Sequence, residues 1–406
     1  MLIKRTLPPA AAPVRINDII NGIQGASGGQ AEIEFFSTDI KDYFQVKYCF
    51  LLSSGKAALT VILWALRQLS PGRKDVLIPA FTCYSVPSAI VRAGLRVNLA
   101  DIDAETLNYD FSDLRKIRST GKRFLAVICP HLFGLPADVS KIREIFDDPD
   151  LFIIEDAAQA MGGKFNGNHL GTFGDAGFFS LGRGKAFSAV EGGVIVTNND
   201  ELAGEIESFS RELSMQSGAN ILKLAGNAVA LTVLIRPSLF WLPKSVPGLR
   251  LGETLYDTEF SIKSFSPFQA GLARNWQKRL SLFQAVRKKN VLYWIRTLKR
   301  FSWLKPIYNG SESNEEVLPL LRFPVLVKNA DRRAALLKVS DRHGFGIMPA
   351  YPESIDKIND MQFANNNQTF PGSEKCASQL VTFPVHEFLT LKNRQRIFEC
   401  LAMLGE

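Results

Sequence analysis

Short apolar runs alternate with helical patterns over the first two-thirds of the chain. Six apolar runs predict strands at 48–54, 75–81, 124–130, 151–156, 176–181 and 192–198. Between several of them, apolar residues three and four positions apart predict helices at 57–69, 86–94 and 137–146. Continuous apolar strands that alternate with helices are typical of a largely parallel sheet covered on both faces. The pattern therefore predicts an α/β fold, with ligands bound at the carboxyl ends of the strands.

The pattern changes near residue 243, where "PKSVPGLRLGE" is a connection rich in proline and glycine. A basic helical pattern follows over 266–300, then a strand-like run at 321–327 and a helix at 391–404. We therefore expect a large domain over 1–255 and a smaller α+β domain over 256–406. We interpret the basic side chains of 274–300 as a solvated helix face, and expect no nucleic-acid binding, because no recognition motif accompanies them.

Charge and cysteine usage narrow the classes of partner and compartment. The net charge of +8 suits an anionic partner such as a phosphorylated ligand or a membrane surface. Five scattered cysteines without a C-x-x-C pair indicate neither a disulfide framework nor a zinc site, and fit a reducing, cytoplasmic location. The four histidines lack metal-ligand spacing, so no metal is expected.

The segment 219–242, which we call the apolar insertion, contains "LAGNAVALTVLI" between Lys223 and Arg236. It is too short to span a membrane as a continuous apolar helix. One interpretation is a buried or subunit-facing helix. The other is a peripheral, membrane-associated helix with basic flanks and with Phe240 and Trp241 at the boundary.

Two Gly-Lys pairs resemble phosphate loops but lack the rest of the motif. Gly55-Lys56 and Gly184-Lys185 have neither the upstream glycine nor the following hydroxyl of a P-loop, which argues against nucleotide hydrolysis. In "SSGKAAL" (53–59), however, a turn between a strand and a helix frees backbone N–H groups that suit a phosphate. The alternative is a helix capped by Ser53 or Ser54 without a ligand.

A carboxylate and a lysine complete a recognisable set. In "FIIEDAAQA", Glu155 and Asp156 end a buried strand, and one of them must face the crevice, where it needs a cation or hydrogen-bond donors. Lys185 follows in a glycine-rich loop after another strand. These parts suit pyridoxal phosphate: the lysine forms a Schiff base, the carboxylate keeps the pyridine nitrogen protonated, and the helix N-terminus holds the phosphate.

The block 153–198, "IIEDAAQAMGGKFNGNHLGTFGDAGFFSLGRGKAFSAVEGGVIVTN", resembles the central block of the DegT/DnrJ/EryC1/StrS family of sugar aminotransferases. Ser180, Lys185 and Glu191-Gly192-Gly193 match its Ser-x-x-x-x-Lys and Glu-Gly-Gly elements. Further resemblances lie at 53–59, 75–110 and 129–142, and looser ones at 344–355 and 370–390. The resemblance implies a fold-type-I aminotransferase, usually a homodimer with active sites at the subunit interface. It also implies amino transfer, typically from glutamate, to a keto group of a nucleotide-linked sugar, as in polysaccharide biosynthesis.

The resemblance also assigns roles to residues. It makes Lys185 the Schiff-base lysine and proton shuttle, pairs Asp156 with the pyridinium nitrogen, and places Gln159 near the ring hydroxyl. The cofactor's phosphate and ring then meet Ser54, Gly55, Lys56, Ser180 and Tyr84. Candidates for substrate contact are His131, Arg183 and Tyr351.

Four positions depart from the family: Lys56 replaces a threonine, Cys83 an aromatic residue, Gly182 a histidine, and 262–265 an Asn-Tyr-Arg-Met segment. Tyr84 is the neighbour that can substitute for the missing aromatic ring. We hypothesise that Lys56 and Lys263 together replace the missing phosphate contacts. Two alternative functions remain: a sugar dehydratase on the same scaffold, against which Lys185 argues, and a non-catalytic regulator or membrane-associated scaffold.

Overall fold

The computed structural model describes residues 5–246, 254–310, 317–359, 361, 363 and 368–405. Its α-helices are α1 Ile16–Gly28, α2 Gln30–Phe44, α3 Gly55–Leu69, α4 Ser85–Arg92, α5 Phe111–Ser119, α6 Val139–Phe146, α7 Asp200–Glu212, α8 Gly218–Leu234, α9 Trp241–Lys244, α10 Pro267–Leu272, α11 Trp276–Leu298, α12 Ala330–His343, α13 Pro371–Gln379 and α14 Leu391–Gly405. Its strands are β1 Tyr48–Leu52, β2 Asp75–Pro79, β3 Arg96–Ala100, β4 Ala126–Pro130, β5 Phe152–Asp156, β6 Lys164–Phe165, β7 Asn168–His169, β8 Ala176–Ser180, β9 Gly193–Thr197, β10 Leu304–Pro306, β11 Phe323–Val327, β12 Met348–Pro349 and β13 Leu380–Phe383.

The main sheet has seven strands in the order β1-β9-β8-β5-β4-β2-β3. β9 runs antiparallel to both of its neighbours, and the other adjacent pairs are parallel. All six predicted strands form, and the prediction of a largely parallel sheet is confirmed. β3 was not predicted because Arg96 and Asn98 interrupt its apolar run; Asn98 is buried with its Nδ2 2.9 Å from Asp75 Oδ1.

Successive strand residues point to opposite sides, so the apolar strands make both faces of the sheet apolar. Helices cover both faces. Val76 and Ile78 of β2 pack in a core with α3, α4 and α7. Leu77, between them, packs on the other side with α5 and α6. Next to that second core, α2, α8 and α10 pack over β8 and β9.

A smaller antiparallel sheet, β10-β11-β13-β12, forms the C-terminal part with α12, α13 and α14. The long helix α11 joins the two parts. Trp276 and Leu280 at its start belong to the core of the main sheet, and Trp294 and Leu298 near its end belong to the core of the small sheet. The division at 255/256 stays a prediction, and residues 247–253 of the predicted connection lie outside the described residues.

The interpretation of α11 as a solvated basic face is wrong for two of its arginines. Arg279 is 7% exposed and Arg287 is 1% exposed, whereas Lys278 and Lys289 lie in solvent. Arg287 belongs to the helix's apolar stripe, whose spacing is three and four residues, and Arg279 lies beside that stripe. That stripe contains Trp276, Leu280, Phe283, Arg287, Val291, Trp294 and Leu298.

The chain before α1 is extended and largely buried. The Thr6 N–H donates to the Pro237 carbonyl at 2.8 Å, and the Leu7 N–H donates to the Gly344 carbonyl at 2.9 Å. His386 Nε2 lies 2.7 Å from the Pro8 carbonyl, to which it donates. Burial lowers the pKa of His386 to about 4, so the ring is neutral at physiological pH. This segment therefore joins the apolar insertion to the small C-terminal sheet.

Candidate active site

The sequence-predicted site residues meet at one edge of the main sheet, where parallel strands present their carboxyl ends. The turn 53–55 follows β1, His131 follows β4, Asp156 ends β5, and Ser180 ends β8. Because these strands are neighbours or separated only by β9, distant parts of the sequence converge here. This is the location that open α/β sheets use for ligands.

The predicted phosphate-binding parts touch one another. Ser54 Oγ accepts the Ala57 N–H at 3.1 Å and thereby caps α3. A Cβ atom on Gly55 would lie 3.0 Å from Ser180 Cβ, so only glycine allows this close approach without displacement of Ser180. The start of α3 and the end of β8 therefore form one site, with helix N–H groups directed toward its ligand side.

Asp156 lies at the same edge and is only 8% exposed. Burial raises its pKa, an effect that the positive charge of Lys185 and the N–H of Ala158 partly offset. The Ala158 N–H donates to Oδ1 at 3.0 Å. Such a carboxylate is costly to ionise without a further cation, and the protonated nitrogen of a pyridine ring is a cation of suitable geometry and charge.

Glu155, the neighbouring carboxylate, points away from this ligand side and is fully buried. One oxygen accepts His131 Nε2 at 2.7 Å and the Gly171 N–H at 2.8 Å. The other accepts the N–H groups of Phe173 and Gly174, the latter at 2.6 Å. Glu155 therefore ties the loop after β7 to the strand ends, and Asp156 is the residue left for the crevice.

His131 supports Glu155 instead of facing a substrate. Its Nδ1 accepts the Ala137 N–H at 2.9 Å, so the other nitrogen, Nε2, carries the hydrogen that is donated to Glu155. Both nitrogens are therefore engaged inside the protein. These contacts do not support a direct contact between His131 and a substrate, and its place among the substrate candidates stays a prediction.

Gln159 and Tyr351, distant in sequence, form a direct pair. Gln159 Nε2 donates to the Tyr351 hydroxyl at 2.8 Å, and its Oε1 accepts the Phe133 N–H at 3.1 Å. The Tyr351 ring packs against Phe81, with ring centroids 5.2 Å apart. The pKa of Tyr351 is raised well above its usual value, chiefly by burial, so the hydroxyl stays protonated.

The loop that carries Lys185 is exposed to solvent before the lysine and held by hydrogen bonds after it. Arg183 is exposed and Lys185 is half-buried. After Lys185, the Arg287 guanidinium donates to the Ala186 carbonyl at 2.9 Å, to the Ala11 carbonyl at 3.3 Å and to the Lys185 carbonyl at 3.4 Å. Burial lowers the pKa of Arg287 to about 10. Sequence reasoning missed this residue, although its place in the apolar stripe of α11 was a usable signal.

Lys56 is engaged outside the phosphate turn. Its Nζ lies 3.3 Å from Asp257 Oδ2 and 4.4 Å from the centre of the Phe260 ring. Lys263 lies beside the turn through its backbone: its carbonyl accepts the Ser53 N–H at 2.9 Å, and its N–H donates to Ser53 Oγ at 3.1 Å. The hypothesis that both lysines replace phosphate contacts stays a prediction.

A cavity of about 520 Å³ lies beside the strand-end edge and is lined by Tyr84, Tyr256 and Tyr351. The Tyr84 hydroxyl donates to the Glu353 carbonyl at 3.2 Å, which fixes the ring at the cavity wall. Two residues earlier, the buried hydroxyl of Thr82 has no hydrogen-bond partner among the described residues. An unpaired buried hydroxyl favours a polar ligand at this edge. Within the described part of the chain, no cluster of three metal-ligating side chains occurs.

Solved structures share this fold over nearly the whole chain. A Helicobacter pylori aminotransferase, PseC, described as acting in pseudoaminic acid biosynthesis, gives a TM-score of 0.77 at 16% identity and covers 98% of this chain and 99% of its own. An E. coli GDP-4-keto-6-deoxy-D-mannose-3-dehydratase with bound hydrated pyridoxal phosphate gives 0.75 at 20% identity, with 97% and 99% covered. The predicted fold-type-I aminotransferase fold is confirmed.

Sequence relatives match over shorter stretches. GDP-perosamine synthase of Vibrio cholerae is 33% identical over 185 residues, which are 46% of this chain and 49% of that protein. GDP-4-keto-6-deoxy-D-mannose 3-dehydratase of Yersinia pseudotuberculosis is 30% identical over 174 residues, 42% of this chain and 44% of that protein. The chain thus spans about half the length of these curated relatives.

A family model covers much more of the sequence. It matches residues 14–232 and 258–402 and leaves only 233–257 unmatched between its two parts. The unmatched stretch comprises the end of the apolar insertion and the connection after it. With most of its length matched, the protein belongs to the DegT/DnrJ/EryC1/StrS aminotransferase family.

Proposed function

We propose that this protein is a pyridoxal-phosphate-dependent aminotransferase that transfers an amino group, from glutamate, to a keto group of a nucleotide-linked sugar. The observation that carries the proposal is the meeting of Asp156 and Lys185 at the strand-end edge, where the lysine's charge offsets part of the cost of burying the carboxylate. The Ser54–Gly55 turn and Ser180 lie at the same edge. Relatives named GDP-perosamine synthase support a nucleotide-sugar substrate.

Each residue then has a defined task toward the cofactor, which supplies an electron sink when it is bound. Asp156 stabilises the protonated ring nitrogen and regains the interactions that burial removed. The N–H groups at the start of α3, with Ser54 and Ser180, bind the phosphate. Gln159, held by Phe133 and the Tyr351 hydroxyl, is fixed in position to orient the ring.

Lys185 is the residue that would hold the cofactor covalently, and its Nζ, once free, would carry a proton. Lys185 is half-buried, and its charge acts on the Asp156 carboxylate, which places the amine on the ligand side of that residue. Exposed Arg183, two residues earlier, suits a phosphate group of the nucleotide. The cavity beside Tyr84 and Tyr351 provides the space for the sugar.

The test is an assay of the purified protein with pyridoxal phosphate, glutamate and a panel of GDP-, UDP- and dTDP-linked keto sugars. We expect the visible absorbance band of the bound cofactor to bleach with glutamate, and one keto sugar to gain an amino group by mass spectrometry. Borohydride reduction followed by peptide mapping should place the cofactor on Lys185. A protein that binds no cofactor, or leaves every sugar unchanged, would overturn the proposal.

The dehydratase alternative rests on relatives named GDP-4-keto-6-deoxy-D-mannose 3-dehydratase. The same assay distinguishes it, because a dehydratase product loses a hydroxyl group and gains no nitrogen. A regulator would bind the cofactor without changing any of the sugars.

We further propose a cytoplasmic homodimer that serves polysaccharide biosynthesis. The five free thiols fit a reducing compartment. The segment 254–264 runs along the strand-end edge, from Thr254 beside Tyr84 to Lys263 beside Ser53, so a partner subunit that packs on this segment lies next to the site. Light scattering of the eluted protein should give twice the mass of one chain, and a monomeric mass would contradict this part of the proposal.

A further inference from the structure

Two neighbouring helices, α1 and α8, each leave an apolar stripe in solvent. On α1 the stripe is Ile16, Ile20 and Ile23, at spacings of four and three residues. On α8 it is Leu222, Val229 and Val233, in line with exposed Gly226. The two helices pack against each other. We call these six residues the apolar surface.

The packing of α1 and α8 in the core does not require the apolar surface. The opposite side of α8 is already buried through Leu224 and Ala228, and α1 is closely packed on α10 through Gly22 and Gly25. Leu222 is nevertheless 74% exposed and Ile16 is 68% exposed. Grouped exposed aliphatic side chains of this kind mark interaction sites in soluble proteins.

The exposed charges within 15–28 and 213–246 are positive. The stretch 213–246 contains Lys223, Arg236 and Lys244 and no acidic residue. Arg15 precedes the stripe of α1, and the one acidic residue of α1, Asp18, is buried against Arg279. Within the described residues, Arg15, Lys223 and Arg236 are exposed and form no ion pair. The surface therefore combines apolar side chains with unpaired positive charge.

We propose that this surface docks on an anionic membrane leaflet. Anionic headgroups complement Arg15, Lys223 and Arg236, and the six aliphatic side chains enter the boundary below the headgroups. No described helix is long and apolar enough to cross a bilayer, so the contact is peripheral. Half-buried Phe240 and Trp241, which follow α8, are aromatic residues suited to the same boundary.

A second copy of the chain fits this surface less well. In a twofold dimer the same patch meets itself, which would bring the cations of both copies together without acidic partners from α1 or α8. The membrane is therefore the occupant that the charges favour. This inference is independent of the proposed reaction.

Vesicle flotation with the full-length protein tests the docking. We expect binding to vesicles of phosphatidylcholine with phosphatidylglycerol and little binding to phosphatidylcholine alone. Leu222→Asp should weaken binding at least about tenfold, because it removes an aliphatic group that would enter the membrane boundary and adds a charge that anionic headgroups repel. Lys223→Gln should weaken it about fivefold. High salt should weaken the wild-type protein as well.

Leu391→Asp is the matched control, because Leu391 is 79% exposed on α14, away from the surface. It should bind like the wild-type protein. The proposal is overturned if the wild-type protein does not float, if Leu222→Asp and Leu391→Asp bind equally, or if Leu222→Asp changes the oligomeric mass. The last result would identify a second copy as the occupant. Aminotransferase activity in solution should be the same in both variants, which separates this test from that of the reaction.

Discussion

The end of β5 carries two adjacent carboxylates with opposite surroundings. Glu155 is enclosed by four protein donors, three of them backbone N–H groups. Asp156 has one such donor among the described residues, the N–H of Ala158, and its pKa is raised by burial. Strand geometry alone places them on opposite sides. A buried carboxylate whose oxygens are fully hydrogen-bonded by the protein has a structural role, whereas one with few protein donors is available to a ligand.

The largest expected effect is the loss of activity on replacement of Lys185, whose charge acts on Asp156. Lys185→Ala should lower kcat by about a thousandfold or more, because it removes both the covalent anchor and the proton carrier. The unfolding midpoint should change little, since Lys185 is only half-buried. Substantial turnover in this variant would show that the lysine is not the reacting group.

Glu155→Gln should lower the free energy of unfolding and should not act directly on the reaction. The amide offers an NH₂ group where the carboxylate accepted N–H groups, so buried donors lose their partner. We expect a loss of about 3 kcal/mol in the free energy of unfolding. Urea denaturation of the cofactor-free protein measures it. An unchanged midpoint would refute the structural role of Glu155.

A comparison of Arg287 with Arg279 separates the effect of Arg287 on the Lys185 loop from the general effect of removing a buried arginine. Arg287→Met and Arg279→Met should both lower the unfolding midpoint, because each removes a buried hydrogen bond from α11 to a backbone carbonyl of another segment. Only Arg287→Met should also slow attachment of the cofactor to Lys185, since it alone frees the Lys185 and Ala186 carbonyls.

Borohydride trapping over time measures that attachment, and Arg287→Lys should restore part of the rate. Equal trapping rates in the two methionine variants would assign Arg287 to general packing.

The contribution of Asp156 to folding stability should decrease as the pH rises, whereas the contribution of an ordinary ion-paired acid increases. Because the folded pKa is raised, the unfolded carboxyl loses its proton first as the pH rises through about 4, and folding stability then falls. Cofactor-free Asp156→Asn should therefore be more stable than wild type at neutral pH, with a difference that disappears at acidic pH.

Thermal unfolding across this pH range is the measurement, and Glu155→Gln is the comparison. A destabilised Asp156→Asn protein at neutral pH would contradict the expected sign.

The smallest effects lie in the loop itself. Gly184 has φ +70°, so Gly184→Ala should cost about 1 kcal/mol of stability. Gly182 has no such angle, and a Cβ there would lie 3.3 Å from Ser180 Oγ and 3.9 Å from Lys185 Cγ. Gly182→Ala should leave stability within about 0.5 kcal/mol and alter cofactor affinity instead. Fluorescence titration and thermal unfolding of both variants check this contrast.

The sequence predicted what is local. Apolar runs indicated six strands of the main sheet, and short motifs located Asp156, Ser180 and Lys185. It did not predict β3, whose polar Asn98 is paired with Asp75 in the fold, nor the division of labour between Glu155 and Asp156. Arg287 was missed because a basic residue on a basic helix is ordinarily solvated, and only tertiary packing buries it.

The extended segment before α1 has a consequence for the order of folding during synthesis. Thr6, Leu7 and Pro8 are synthesised more than 200 residues before their partners Pro237, Gly344 and His386. Arg287 binds the carbonyls of Ala11 and Lys185, so the lysine loop gains this support only after about 100 further residues have been made. A nascent chain therefore carries this segment without its partners until the C-terminal part has been synthesised, and the lysine loop is anchored only then.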